Sequence, residues 1–198
     1  MIPGSVPPLR IIHDPAQGAR RAALDAQIAG IPHELWPAVF AADFKTGCAE
    51  AHKGIVRHLL ATGAPYGIIG EDDLAFTAPG AWRHFLDGLA QLPEDWDIYL
   101  GGIHWHRILH GALPGRPLLR TVQGFTGMHL YAVSAKCYTR LLAAPAGLHL
   151  DMWLGQQDIH AYLCWPLAAI QAPGYSANQK RDVDYSHLFG RYELWRGP

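Results

Sequence analysis

The sequence has little cysteine and no long hydrophobic run. Its three cysteines, Cys48, Cys137 and Cys164, are widely spaced and form no Cys-x-x-Cys pair, which indicates reduced, buried thiols in a cytosolic protein. No apolar run approaches the length that spans a bilayer, and the first residues lack a basic flank followed by an apolar signal core. We therefore expect a cytoplasmic protein without a transmembrane segment, with a peripheral position at the inner membrane left open.

An excess of charge of either sign is also missing. The chain has 16 Lys and Arg against 17 Asp and Glu, a formal net charge of −1 with histidine neutral. No global field would attract a polyanion, which argues against nucleic acid as the main partner, although a local basic patch keeps that partner open. With 198 residues, 49% of them hydrophobic and 17% charged, the chain is expected to form one domain with a sizeable core.

The most informative stretch is an apolar run that ends in three consecutive acids, Tyr66–Phe76. The run is typical of a strand buried on both faces. Alternation along an extended chain predicts that Glu71 and Asp73 point together into a cleft while Asp72 points away. Adjacent carboxylates repel one another, and their hard oxygen atoms favour Mg²⁺ or Mn²⁺ as the neutralising partner. A solvated acidic turn without an ion is the alternative interpretation, and the three residues alone do not decide between them.

Apolar periodicity predicts alternating strands and helices. Helix-like composition follows a first short strand, and Ser134 is placed to cap a later helix. The expected strands are 9–13, 66–70, 96–100, 118–122 and 128–133, the expected helices are 16–29, 47–62, one that starts at Pro79, 134–142 and 151–157, and the segment 111–117 is expected to be a loop. We expect a flexible arm (1–8), one catalytic domain (9–172) and a basic, aromatic C-terminal segment (173–198) that could act as a lid.

Several of these pieces, taken in order, resemble glycosyltransferase family 25, the lipooligosaccharide and collagen galactosyltransferase group. The most specific match is Gly47–Lys53 followed by Ile68–Leu74, and Asp151 is a supporting match. Further matches are Trp96–Gly102, Gly127–Ser134 and Tyr162–Gln171. The chain departs from the family pattern at Ala51, where serine is usual, and at His13-Asp14, where an Asn-Leu-Asp pattern normally ends the first strand.

The resemblance implies an α/β protein with a single-domain GT-A fold, a Rossmann-like α/β/α sandwich. Such a protein would bind a nucleotide sugar through Mn²⁺ or Mg²⁺ at the acidic turn. It would transfer a hexose from a uridine diphosphate (UDP) donor, UDP-galactose or UDP-glucose, with inversion. The implied acceptor is a hydroxyl of a saccharide, a lipid-linked saccharide or another molecule.

The resemblance and the motifs together nominate the site residues. Glu71 and Asp73 are the expected metal ligands, Asp151 is the expected catalytic base, and Asp158 is the reserve base. The expected donor-binding residues are His13, Asp14, Arg20, His52, Lys53, Gly70, Asp72, His129, Lys180 and Arg181. Lys53 could reach a phosphate or be solvated, and Lys180 with Arg181 could close over the diphosphate or form a solvated tail.

Aromatic and imidazole side chains outside this set have simpler interpretations. His104 and His106 are not expected to ligate a metal, since no carboxylate or cysteine stands near them in the sequence. Trp105 and Trp153 could stack on acceptor sugar rings, although packing in the core is the default for tryptophan.

Three other functions remain open from the sequence. Paired acids with a divalent ion also serve nucleotide or phosphoester hydrolases, which would cleave nucleotides with no sugar requirement. A catalytically inactive sugar-nucleotide-binding protein would bind the donor without turnover. Glycosylation of modified nucleic-acid bases is a third alternative, disfavoured by the near-neutral charge.

Overall fold

A large mixed sheet with helices on both faces forms the centre of the protein, in a computed structural model that describes residues 6–176 and 179–197. The strands are β1 Leu9–His13, β2 His33–Pro37, β3 Tyr66–Glu71, β4 Leu74–Phe76, β5 Ile98–Leu100, β6 Trp105–Leu113, β7 Arg116–Thr126, β8 Leu130–Ser134, β9 Ala161–Cys164, β10 Ala169–Gln171, β11 Gly174–Ser176 and β12 Arg181–Val183. The helices are α1 Gly18–Ile28, α2 Phe44–Ala61, α3 Ala81–Leu89, α4 Ala135–Leu142, α5 Leu150–Gly155 and α6 Ser186–Phe189. The predicted α/β class is confirmed.

The main sheet has eight strands in the order β2-β1-β3-β8-β5-β9-β7-β6. Strand β1 runs parallel to β2 and β3, whereas β8 runs antiparallel to its neighbours β3 and β5. Ile12 of β1 pairs with Glu71 of β3, so these two strands end at the same edge of the sheet. Loops that follow parallel strands meet at such an edge, where α/β proteins bind ligands.

The core is divided by the sheet, and alternate residues of each central strand face opposite sides. Ile69 packs in the cluster that includes Ile55 and Leu59 of α2, while its neighbour Ile68 packs in the cluster that includes Phe85 of α3. Helix α4 shares the first cluster and α1 the second. Burial on both faces explains why β3 is apolar from Tyr66 to Gly70 with no polar alternation.

Helix α2 begins earlier than its apolar pattern predicted. Asp43 precedes it and accepts hydrogen bonds from the backbone N–H groups of Lys45 and Thr46, which satisfies two donors at the helix start. The predicted cap at Ser134 is wrong as a side-chain cap, because the serine hydroxyl is buried without a hydrogen-bond partner among the described residues. Residue 134 nevertheless occupies the N-cap position of α4.

The prediction of a loop at 111–117 is wrong. Strands β6 and β7 form a long hairpin, and Leu113 pairs with Arg116 across a tight turn. Gly115 lies in this turn with φ of 69°, a conformation that glycine adopts without strain. The Gly and Pro content of the segment therefore marks one short turn inside a hairpin, and the strands continue almost up to it.

The structure describes the two expected terminal segments in part. Residues 1–5 of the expected arm, and residues 177, 178 and 198 of the expected C-terminal segment, lie outside the described residues. The described part of the C-terminal segment contains the hairpin of β11 and β12 and the short helix α6. Among the described residues, no helix combines the length and hydrophobicity needed to cross a membrane.

Candidate functional site

A cavity of about 400 Å³ opens at the edge of the sheet where β1 and β3 end. This volume falls in the range of pockets that bind small molecules and cofactors. All three acids of the turn after β3, Glu71, Asp72 and Asp73, line it. Asp151 at the start of α5 lines the same cavity.

Asp72 fastens the end of β1 to the acidic turn. Its Oδ2 lies 3.1 Å from His13 Nδ1 and accepts a hydrogen bond from the backbone N–H of Asp14 at 3.2 Å, and its Oδ1 accepts one from Arg20 at 2.9 Å. The expectation that Asp72 points away from the cleft is wrong. Residues 72 and 73 form a turn rather than an extended strand, so side-chain alternation stops at Glu71.

Asp73 is buried beside like charge with only part of its hydrogen-bonding capacity used. Its Oδ2 accepts hydrogen bonds from Gln171 at 2.8 Å and from Arg20 at 3.2 Å, while its Oδ1 has no partner within residues 6–176 and 179–197. Burial, followed by the negative charge of Glu71, raises the pKa of Asp73 to about 7. A buried carboxylate in this state is short of nearby positive charge.

Glu71 is held by a buried histidine. His52 Nε2 lies 3.0 Å from Glu71 Oε1, and the other ring nitrogen of His52 lies 3.0 Å from the hydroxyl of Tyr131. Burial alone would raise the pKa of Glu71, but the His52 hydrogen bond and the neighbouring histidines lower it overall. Glu71 therefore stays ionised next to Asp73, which strengthens the local negative field.

The charge balance and the donor atoms of the turn fit a divalent cation. In the part of the chain that the structure describes, the three carboxylates share one guanidinium, that of Arg20, with His13 beside Asp72 and His52 beside Glu71, so Asp73 lacks a full positive partner of its own when it ionises. Both Asp72 oxygens are engaged, but Asp73 Oδ1 has no partner there, and Glu71 has one oxygen outside the His52 bond. Oxygen ligands from one or two carboxylates are the usual protein contribution to a Mg²⁺ or Mn²⁺ site.

Arg20 has donor capacity left. Its Nη1 serves Asp72 and Asp73, whereas its Nη2 is buried without a partner among the residues described. Arg20 and Asp14 both line the cavity, and His13 contacts it through Asp72. The structure thus brings these predicted residues together around the acidic turn, and a free guanidinium N–H suits a phosphate oxygen.

Asp151 is fixed by backbone donors. Its Oδ2 accepts a hydrogen bond from the backbone N–H of Gly127 at 2.6 Å, and its Oδ1 accepts one from Met152 at 2.7 Å. It lies in the first turn of α5, where the helix dipole favours a negative charge. A carboxylate oxygen has lone pairs beyond one hydrogen bond, so Asp151 can accept a further proton donor from the cavity.

His129 lies at the base of the cavity as a neutral ring. Its Nε2 lies 3.2 Å from the carbonyl oxygen of Ala169, which requires a proton on Nε2, and its Nδ1 meets no partner in the described structure. Burial, with a smaller contribution from His104, lowers the pKa of His129 to about 4. His104 stacks on His129, with ring centroids 5.6 Å apart, and also lines the cavity.

Three site residues, His104, Gln171 and Tyr131, were not nominated from the sequence, although the matched stretches Gly127–Ser134 and Tyr162–Gln171 contain the last two. His104 follows the glycine pair after β5, which ends at the same sheet edge, so its position after a strand end was a usable signal. Gln171 and Tyr131 reach the site from distant parts of the chain, to contact Asp73 and His52 respectively. Nothing in the local sequence marks either of these contacts.

Six predicted residues do not line the cavity. His13 reaches it only through Asp72, Lys180 and Arg181 lie beside it, and the other three are Lys53, Asp158 and Gly70. Lys53 is buried elsewhere, and its amine donates to the carbonyl oxygen of Ala144 at 2.6 Å and pairs with Glu50, so it is neither solvated nor placed to reach a phosphate in the cavity. Asp158, the reserve base, is exposed and does not line the cavity. Gly70 packs inside the sheet, where an added Cβ would meet only ordinary contacts, so its structure does not require close approach to a ligand.

Lys180 and Arg181 lie beside the cavity. Both are exposed and line a neighbouring surface concavity with Phe40 and Phe44, and those two phenylalanines also line the main cavity. Lys180 has φ of 54°, in the left-handed region. The two basic residues are thus adjacent to the site without entering it.

The remaining aromatic and imidazole candidates lie outside the cavity. His106 contacts the hydroxyl of Tyr192 at 2.9 Å, Trp105 is half-exposed on β6, and Trp153 packs against the core. None of the three lines the main cavity.

Together, fold and site define a mixed α/β protein with an acidic cavity at the ends of parallel strands. No known family profile and no curated protein matches the sequence. Among solved structures, the crystal structure of A197 from STIV matches with a TM-score of 0.57 at 10% identity, covering 90% of this chain and 93% of that one. This likeness concerns the fold.

A second solved structure shows a weaker overlap. Mannose-1-phosphate geranyltransferase from Thermus thermophilus matches with a TM-score of 0.41 at 13% identity, covering 79% of this chain and 58% of that one. That score is too low for the two chains to be treated as one fold.

Proposed function

We propose that this chain is a GT-A glycosyltransferase of the family 25 type. It transfers a hexose from UDP-galactose or UDP-glucose to an acceptor hydroxyl, with inversion and with a divalent cation. The observation that carries the proposal is one cavity lined both by the acidic turn after β3 and by Asp151 of α5. The order of the sequence motifs, from Gly47–Lys53 to Tyr162–Gln171, supports the same family.

The acidic turn supports the donor half of this reaction. Asp73 and Glu71 would hold Mn²⁺ or Mg²⁺, because each has an oxygen that the described residues leave free of a strong partner. Bound there, such an ion would supply positive charge for a leaving diphosphate. Arg20 would add a second positive charge near the diphosphate, since its buried Nη2 has a hydrogen-bond donor left for a phosphate oxygen.

Asp151 supports the acceptor half. Inversion requires one base that takes the proton of the acceptor hydroxyl as the oxygen attacks the anomeric carbon. The backbone donors from Gly127 and Met152 hold the Asp151 carboxylate in place. A base held in this way keeps its geometry when substrate enters, which lowers the entropic cost of reaction.

The test is thermal-shift and product analysis with a panel of nucleotide sugars. We expect UDP-hexose with Mn²⁺ to raise the melting temperature of the full chain, and EDTA to remove the effect, because a ligand specific to the folded state stabilises it. We also expect UDP release that accelerates when a sugar acceptor is added. UDP release that is independent of acceptor, together with cleavage of nucleotides that carry no hexose, would support the hydrolase instead.

A further inference from the structure

Three chemically different ligand atoms converge on one wall of the cavity. Cys48 Sγ, a His52 ring nitrogen and a Glu71 carboxylate oxygen all lie within 4.8 Å of one another. We propose that these residues form a second cation site, selective for a thiophilic divalent ion of the Zn²⁺ class. Its ligand set differs from the oxygen-only set at Asp73.

Local helix geometry places two of the ligands together. Cys48 and His52 are four residues apart in α2, so their side chains lie one turn apart on the same helix face. Glu71 reaches the same point from the end of β3, as its 3.0 Å contact with His52 Nε2 shows. A small inward movement of ligand atoms already this close would complete the coordination distances of about 2.0 to 2.3 Å that Zn²⁺ prefers.

The donor chemistry selects the type of ion. Thiolate and imidazole ligands favour Zn²⁺ and Co²⁺ over Mn²⁺ and Mg²⁺, which prefer oxygen. Three protein ligands leave a fourth tetrahedral position open, and all three residues line the cavity. Binding displaces the thiol proton of Cys48, because the thiolate is the ligand.

A support for the histidine ligand is already present. The hydroxyl of Tyr131 lies 3.0 Å from His52 Nδ1, and both side chains are buried. With a cation on Nε2, the proton of the ring moves to Nδ1 and is donated to the tyrosine oxygen. Such a partner on the second ring nitrogen is the usual feature that orients a metal-binding histidine.

The site would compete with the proposed catalytic ion. Glu71 belongs to both ligand sets, so Zn²⁺ at Cys48 and His52 would withdraw this carboxylate from Mn²⁺ at Asp73. This consequence rests on the proposed function, whereas the binding of Zn²⁺ or Co²⁺ by the three residues does not. Zn²⁺ would then act as an inhibitor of transfer at the same cavity.

The test is titration of the full chain with Co²⁺, followed by the thiolate-to-cobalt charge-transfer absorption. We expect a band in the wild type that Zn²⁺ removes by displacement, its loss in Cys48→Ser, and its retention in the control Cys137→Ala, whose thiol belongs to α4 and lies in the core. Asp73→Asn should keep the band while losing Mn²⁺ binding, which is measured separately by calorimetry.

Three results would overturn the proposal. They are absence of the band in the wild type, its survival in Cys48→Ser, and its disappearance in Asp73→Asn, which would assign both ions to one site. Circular dichroism of each variant checks that it is folded. Because the cobalt band is read without substrate, failure of Mn²⁺-dependent donor binding would count against the proposed function and leave the result on this site standing.

Discussion

Asp73→Asn should stabilise the metal-free protein while removing its response to Mn²⁺. In the wild type, burial and the neighbouring Glu71 charge raise the pKa of Asp73 from its ordinary 3.8 to about 7. Holding this carboxylate in the folded state therefore costs free energy at neutral pH, and an amide of the same shape removes that cost. Asparagine can still accept the hydrogen bond from Gln171.

The size of the effect follows from the pKa shift. A rise in the pKa of Asp73 from 3.8 to about 7 lowers the free energy of unfolding at high pH by at most about 4 kcal/mol, at about 1.4 kcal/mol for each tenfold change in the protonation equilibrium. Loss of the charged contact with Arg20 offsets part of it. We expect a net gain of about 1–3 kcal/mol at pH 8 in EDTA, which is roughly 2–12 °C in melting temperature for a chain of this size.

The stability advantage of Asp73→Asn over the wild type depends on pH. Below the unfolded pKa of 3.8, Asp73 is protonated in both states and exerts no penalty. Between 3.8 and about 7 the unfolded chain binds fewer protons at this residue than the folded one, so wild-type stability falls relative to the variant as pH rises. Urea unfolding of both proteins at pH 5 and pH 8 in EDTA should therefore show a larger advantage of the variant at pH 8.

Two results would refute this reasoning. One is a variant that is equally destabilised at both pH values, because Asp73 would then contribute through its contacts and not carry a cost of burial. The other is a variant that keeps the wild-type gain in stability on addition of Mn²⁺, because the ion would then not depend on this carboxylate.

Three further substitutions, with Asp158→Asn as a control for the first, separate catalytic, structural and packing roles. Asp151→Asn should lower the rate of transfer by about 10²–10⁴-fold and leave donor binding unchanged in a thermal-shift titration. The control Asp158→Asn should keep the wild-type rate. Weakened donor binding with normal transfer in Asp151→Asn would reject the base role. Lys53→Met should reduce the free energy of unfolding by about 1–3 kcal/mol and leave UDP-hexose binding unchanged, and the reverse pattern would restore the phosphate role. Gly102→Ala should cost at least about 1–3 kcal/mol, because its Cβ would overlap a backbone carbonyl oxygen of β10; an unchanged urea midpoint would contradict this packing.

The parts of the fold with strong periodicity could be predicted from sequence. The apolar run before Glu71 forms the buried strand β3, and the repeat from Cys48 to Leu60 lies within helix α2. The expected strand at 118–122 lies within β7, but β6 could not be recognised in the same way, because its mostly exposed, glycine-containing residues give little alternation. Pairing across the hairpin, rather than local preference, holds that segment in extended form.

The site was predictable where neighbours in sequence stay neighbours in space. Glu71 and Asp73 meet because one turn carries both, but the direction of Asp72 depended on where the strand ends. Lys53 could not share the direction of His52, since successive helix residues are about 100° apart around the axis. The contact of Gln171 with Asp73 joins residues 98 positions apart, and no local pattern encodes such a contact.

The central claim is that the carboxylates at the end of β3 bind the cation through which a UDP-hexose is held. Calorimetric titration of UDP-galactose or UDP-glucose into the wild type and Asp73→Asn, each with Mn²⁺ and with EDTA, tests it most directly. We expect the wild type to bind the UDP-hexose with Mn²⁺ but not with EDTA, and the variant to bind it in neither condition. Equal binding by both proteins in EDTA would contradict the claim.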